Sequence, residues 1–165
     1  TEFIIWLELE RAAGEDTREQ DREQEQNNLQ GKRILLAEDN VMNTEIARTL
    51  LEAKGMTVSC AENGQIACSL FADSRPGYYA AVLMDIRMPV MNGYEAAARI
   101  RSLDRPDALR IPIIAISADA FDEDILRSRQ AGMYAHIAKP FRPEQLYAVL
   151  GEAIRQSGES PETEK

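Results

Sequence analysis

The chain has 165 residues, 44% of them apolar or aromatic and 28% charged, with a net charge of −9. That size suits one domain with appendages and a single core that needs no staples. Two cysteines and one histidine exclude a disulfide scaffold, a Cys-rich metal site and a His-rich zinc centre. No basic stripe recommends nucleic acid, and no apolar run approaches the roughly 18 residues of a membrane span.

The acidity sits at the ends. Residues 1–30 carry −6 and residues 157–165 carry −2, leaving the middle nearly balanced. The first nine residues alternate apolar side chains at Phe3, Ile5, Leu7 and Leu9, a strand signal. From Glu10 to Gln30 the chain is mostly Glu, Gln, Arg and Asn, too polar to fold alone, and it reads as linker or exposed helix. A strand without a neighbour is not a domain, and the first residue is Thr1 rather than Met. Residues 1–10 are therefore expected to be the last strand of a preceding domain, and residues 11–30 an acidic linker.

From Lys32 to about Gln156, short apolar runs alternate with segments of helical period. The spacing predicts strands at Arg33–Ala37, Thr57–Ala61, Ala80–Met84, Pro112–Ser117 and Ala135–Ala138. Helices are predicted at Met42–Ala53, Gly64–Ala72, Gly93–Leu103, Asp119–Ala131 and Pro143–Ile154. Three of the runs are nearly all apolar, as in parallel strands covered on both faces. The expected fold is α/β: a doubly wound five-stranded parallel sheet with helices on both faces, spanning residues 31–156, with a flexible tail at 157–165. Cys60 and Cys68 fall in segments read as core and are expected to be buried thiols.

Open α/β sheets bind ligands at the carboxyl edge of their strands. The first strand of the domain ends in Glu38-Asp39, the third in Asp85, the fourth in Ser117, and the fifth runs into Lys139-Pro140. Single acidic residues at such positions often cap helices, and Asp39-Asn40 could do so. All five groups on one edge make a site. Clustered carboxylates repel unless a cation joins them, and hard oxygen ligands suit Mg²⁺, with Mn²⁺ as a substitute. A carboxylate can also act as nucleophile toward a phosphoryl donor, with Asp85 on the central strand best placed, Lys139 to neutralise a phosphate oxygen and Ser117 to donate to another.

These segments, Ile-Leu-Leu-Ala-Glu38-Asp39-Asn40-Val-Met-Asn43, Leu83-Met84-Asp85 through Asn92-Gly93, Ile116-Ser117-Ala118 and Ala138-Lys139-Pro140-Phe141, resemble the response-regulator receiver domains. The resemblance covers about Gly31 to Gln156 and implies the flavodoxin-like (βα)5 fold. It implies Asp85 as phosphoacceptor, Mg²⁺ held directly by Asp39, Asp85 and the Arg87 carbonyl, and Glu38 acting largely through metal-bound water. Ser117 would report phosphorylation, Lys139 would pair with the phosphate, and the bond before Pro140 would be cis. His136 falls where the family has its rotating aromatic switch. A partly exposed ring packed between helices is the bland reading for it, and a general base the outside one. Arg87 would modulate the pocket by guiding or excluding water.

The Asp39-Asn40-x-x-Asn43 pattern resembles receivers attached to hybrid sensor histidine kinases, and the opening residues resemble the last strand of a kinase ATP-binding domain. This implies a histidine-kinase core in the same parent chain, a histidine phosphotransfer protein as next partner, and a cytoplasmic domain of a parent whose membrane anchoring is open. A homodimer is also left open. The domain would assist its own phosphorylation and hydrolysis, while ATP chemistry would belong to the kinase core. Alternatives are a stand-alone single-domain regulator and a degenerate receiver used for docking or dimerisation. A flavodoxin-like cofactor protein would need a Ser/Thr/Gly-rich phosphate loop after the first strand, where this chain has Glu38-Asp39-Asn40. A haloacid-dehalogenase-like hydrolase would need a second Asp two residues after the first, where Val41 stands.

Overall fold

The computed structural model describes the backbone of residues 3–5 and all of residues 29–118 and 121–158. The elements run β1 (Phe3–Ile5), β2 (Arg33–Ala37), α1 (Val41–Ala53), β3 (Thr57–Ala61), α2 (Gly64–Asp73), β4 (Ala81–Asp85), α3 (Gly93–Arg101), β5 (Ile113–Ser117), α4 (Asp122–Gln130), β6 (Ala135–Ala138) and α5 (Pro143–Gly158). They form one sheet in the order β1-β6-β5-β4-β2-β3, in which β2 through β6 are parallel. The five predicted strands and five predicted helices are all present, within a few residues of their expected ends.

Strand alternation divides the core in two. Leu35, Val82, Met84, Ile113 and Ala115 face Phe71 of α2 and Ala96 and Ile100 of α3. Ile34, Leu36, Leu83, Ile114 and Ile116 face Leu51 of α1 and Leu146 and Leu150 of α5. Asn residues start three of the helices: Asn40, Asn63 and Asn92 each accept a hydrogen bond from a first-turn backbone N–H. Asn92 and Glu95 complete a reciprocal capping box.

Four expectations change. Cys60 is exposed, because β3 is the edge strand of the sheet, whereas Cys68 is buried as expected. Leu29, assigned to the linker, is buried with Leu51, Met56 and Ile154, so the core reaches two residues further toward the N-terminus. The last helix continues to Gly158, into the stretch read as tail. The sheet also has a sixth strand. β1 pairs antiparallel with β6, Ile4 opposite His136, and so covers an edge that would otherwise present unpaired backbone groups. Leu7, Leu9, the linker up to residue 28, the first residues of the predicted fourth helix at 119–120 and the tail from residue 159 lie outside the described residues. No helix among the described residues is long and apolar enough to cross a membrane.

Candidate functional site

Four parallel strands and their following loops deliver the polar groups to one edge. β4 ends on Asp85, and Glu38 and Asp39 directly follow β2. Carboxylate oxygens of Glu38, Asp39 and Asp85 all lie within 4.8 Å of one another. Glu38 and Asp85 are buried, and Asp39 is exposed. Lys139, on the loop after β6, places its ammonium 2.6 Å from Glu38 Oε2 and 2.8 Å from Asp85 Oδ2. The peptide bond between Lys139 and Pro140 is cis, as the resemblance implies.

The other carboxylate oxygens of Glu38 and Asp85 are also held. Glu38 Oε1 accepts from the Asn40 N–H at 3.2 Å and from the Asn43 side-chain amide at 3.1 Å. Asp85 Oδ1 accepts from the Arg87 backbone N–H at 3.0 Å. Thus Asn40 caps α1 and also steadies Glu38, so the capping role and the site role coincide. Burial would lower the pKa of Lys139, but its hydrogen bonds to Asp85 and Glu38 and their charges outweigh this and raise it. Lys139 is therefore fully charged at neutral pH and offsets part of the repulsion among three carboxylates.

The backbone around Asp85 is tightly constrained. Gly93 begins α3 directly behind β4, where a Cβ would fall 2.3 Å from the Asp85 carbonyl oxygen. Between them the chain makes a tight turn in which Met91 N–H bonds the Pro89 carbonyl at 2.8 Å and Val90 takes a φ of 70°. A β-branched residue is strained there, and such strain clusters at functional loops.

Ser117 ends β5, buried, with Oγ 2.6 Å from His136 Nε2. His136 is 2% exposed, so its ring is buried rather than partly exposed. The cause is that β6 is flanked by β5 on one side and β1 on the other, with α4 above it. Its Nδ1 lies 3.0 Å from Ser128 Oγ on α4. Sequence reasoning missed Ser128: a serine within a polar helix carries no signal until the topology sets it over His136. Arg87 is exposed and meets Asp85 through its backbone N–H.

Every sequence-predicted site residue is on this edge. Lys139, Glu38 and Asp85 meet directly with Asp39 within 4.8 Å of the other carboxylates, while Ser117 and His136 form a second, adjoining group. The donor set of three clustered hard oxygens, two of its carboxylates bridged here by one ammonium, fits a divalent cation of the magnesium kind. Val41, Met42 and Ile46 expose apolar side chains on α1, and Ile46 borders a cleft together with Ala47, Pro140 and Phe141.

Fold and site together define a doubly wound α/β domain built around a cation-ready acidic cluster with a fixed lysine. Residues 34–151 match the family model described as the response regulator receiver domain. The chain belongs to that family. It is 34% identical over 125 residues to the hybrid signal transduction histidine kinase I of Dictyostelium discoideum, covering 74% of this chain and 7% of the relative. It is 30% identical over 131 residues to the peroxide stress-activated histidine kinase mak1 of Schizosaccharomyces pombe, covering 79% of this chain and 8% of the relative. Among solved structures, the receiver domain of a sensor histidine kinase from Pseudomonas aeruginosa PAO1, crystallised with a magnesium ion in its active-site cleft, is 37% identical with a TM-score of 0.69. That match covers 76% of this chain and 98% of the other. The chain thus spans less than a tenth of the length of the two curated relatives.

Proposed function

We propose that this domain takes a phosphoryl group from a phosphohistidine onto Asp85, with Mg²⁺, and passes the signal on by conformational change or to a histidine phosphotransfer protein. The observation that carries this reading is Asp85 itself. It is a buried carboxylate at the end of the central strand, oriented by the Arg87 N–H on one oxygen and Lys139 on the other. An oxygen of Asp85 would form the new P–O bond as the P–N bond to the donor imidazole breaks, giving an acyl phosphate. Lys139, already poised between Glu38 and Asp85, would follow the added charge, and Ser117 would donate to a phosphoryl oxygen.

Asp39, Asp85 and the Arg87 carbonyl would hold the Mg²⁺ directly, with Glu38 acting through water. When bound, the ion would screen the carboxylates from the incoming phosphoryl group. The hydrogen bonds already on both oxygens of Glu38, against the exposed carboxylate of Asp39, support this division. Asp39→Asn is expected to weaken Mg²⁺ binding at least about tenfold, ~1.4 kcal/mol, and Glu38→Gln by less. Titration calorimetry reads both, and equal losses would remove the distinction between direct and water-mediated ligands.

The likeness to hybrid kinases supports a parent chain with a histidine-kinase core, which would supply the ATP chemistry, and a cytoplasmic placement of this domain. Residues 1–10 would then be the last strand of the ATP-binding domain, and residues 11–30 the acidic linker. Val41, Met42 and Ile46 are exposed on α1, the helix that begins two residues after Asp39, and would be the surface met by a helix carrying the donor or acceptor histidine. A charge there would impair docking and leave the chemistry intact. Ile46→Asp should slow phosphotransfer with a histidine-containing protein partner by at least about tenfold and leave the rate with acetyl phosphate within about twofold. Equal slowing with both donors would place Ile46 in the chemistry rather than the interface.

The test of the proposed function is an intact-mass assay with acetyl phosphate or phosphoramidate, with and without Mg²⁺. A Mg²⁺-dependent gain of one phosphoryl group is the expected result. No gain with small donors or with a phosphohistidine donor would leave a docking module.

A further inference from the structure

The amino edge of the sheet, opposite Asp85, carries a second concave surface. A cleft of about 480 Å³ opens at the starts of β2, β4 and β5, and Lys32, Arg33, Arg75 and Arg110 stand in its wall. The one acid in that wall, Asp107, is already neutralised. Arg105 donates to it through Nε at 2.6 Å and Nη2 at 2.9 Å, and the Gly77 N–H donates at 2.8 Å. Among the described residues, Lys32, Arg75 and Arg110 have no acidic partner. Arg33 engages the neutral Tyr78, donating to its hydroxyl at 2.9 Å and lying 4.6 Å from its ring centre. Four uncompensated cations thus surround one cleft in a domain whose charge is otherwise nearly balanced. We propose that the acidic segment at residues 6–28 of this same chain docks in the cleft by pairing with these cations. The contact lies at the far edge from Asp85 and does not rest on the phosphoryl chemistry proposed there.

Charge and connectivity together select this occupant. The segment holds eight acidic and three basic side chains. Both of its ends are fixed at the amino edge. Ile5, the last residue of β1, pairs opposite Ala135, the first residue of β6. At the other end Leu29 is buried with Ile154, and both Gly31 and Ile154 belong to the cleft wall. In the sheet order β1-β6-β5-β4-β2-β3, a line from Ile5 to Leu29 passes the starts of β5 and β4, where the cleft lies. From β1 to β2 is four strand spacings, about 19 Å at about 4.8 Å each. The 23 residues of the segment cover that distance even at the helical rise of about 1.5 Å per residue.

A single exposed ion pair contributes little. Here four cations share one concavity, and the segment is joined to it covalently. Its carboxylates are therefore presented at an effective concentration on the order of mM rather than arriving from solution. Such pairs are screened by salt, since the Debye length falls from about 10 Å at 0.1 M to about 3 Å at 1 M. The chain after Gly158 also leaves from the cleft wall, but residues 159–165 carry only three acidic side chains and one lysine, so they compete less well. Docking at the amino edge would leave the carboxyl edge, with Asp85, open to partners.

Tryptic cleavage after Arg11, Arg18 and Arg22, followed by intact mass on the full chain, tests the contact. A synthetic peptide of residues 6–28 gives the unprotected rate. The wild-type chain in low-salt buffer should be cut about tenfold more slowly than the peptide, because cleavage follows the population of the open form. Arg75→Glu combined with Arg110→Glu should bring the rate close to that of the peptide, and in 1 M NaCl wild type and variant should converge. Both side chains are exposed, so the fold should be kept, which a thermal melt checks. A wild type cut as fast as the peptide overturns the proposal without any variant. Protection unchanged in the double variant also overturns it, because the cations of the cleft are then not what holds the segment. Protection that disappears on dilution assigns the cleft to the segment of a second copy and overturns the contact within one chain.

Discussion

Asp85→Asn should fold as the wild type does and gain no phosphoryl group under conditions in which the wild type gains one. The amide has the shape of the carboxylate, so its oxygen can still accept from the Arg87 N–H, and Lys139 keeps its 2.6 Å bond to Glu38. Two electrostatic changes oppose each other: Lys139 loses one of its two anionic partners, and the cluster of three carboxylates loses one of its mutually repelling charges. Stability should therefore stay within about 1 kcal/mol of the wild type. The nucleophile is lost outright, because an amide oxygen does not supply the negative charge that attacks phosphorus. Intact mass and circular dichroism on both proteins check the two halves of the expectation. A phosphorylated Asp85→Asn would move the acceptor to Asp39 or Glu38.

Gly93→Ala should damage both stability and function, although it adds only one methyl group. Its Cβ would fall 2.3 Å from the Asp85 carbonyl oxygen and 3.0 Å from the Ile86 Cα. Both are backbone atoms. No side chain can rotate to make room, so either β4 moves or the start of α3 does. α3 is anchored by its capping box and by Ala96, Ala97 and Ile100 in the core, while β4 is buried between β2 and β5. Overpacking against such neighbours costs about 3 kcal/mol, a fall in thermal midpoint of roughly 6 to 12 °C for a domain of this size. A shift of Asp85 relative to Lys139 should also slow phosphorylation by acetyl phosphate. Thermal melts and the mass assay read these separately, and a wild-type melting point would show that the approach of α3 to β4 is looser than these distances imply.

Much of this domain is written in local pattern. Asp85 falls at the end of its strand because Ala81–Met84 is an unbroken apolar run with a carboxylate after it, and such a run buried on both faces has few other meanings. Helix starts at Asn40, Asn63 and Asn92 are equally legible, since an amide side chain before a periodic segment satisfies a first-turn N–H. The alternation that sorts Ile34 and Leu36 from Leu35 and Ala37 is likewise a property of the strand itself.

What the sequence by itself determined, then, was the order and type of elements and which polar groups reach the carboxyl edge. Tertiary structure decided who meets whom there. Lys139 lies 101 positions from Glu38 and 54 from Asp85, and only the strand order brings one ammonium between both. The same order leaves Cys60 exposed on the outer strand, an outcome no window of sequence around it contains. Leu29 ends a polar run yet is buried, because α1 and α5 close over it. His136 lies deep and doubly bonded because a serine from α4 and another from β5 converge on its two nitrogens. The physical reason is common to all of these: periodicity and capping are set within a few residues of chain, whereas burial and hydrogen-bond partners are set by neighbours that are distant in sequence.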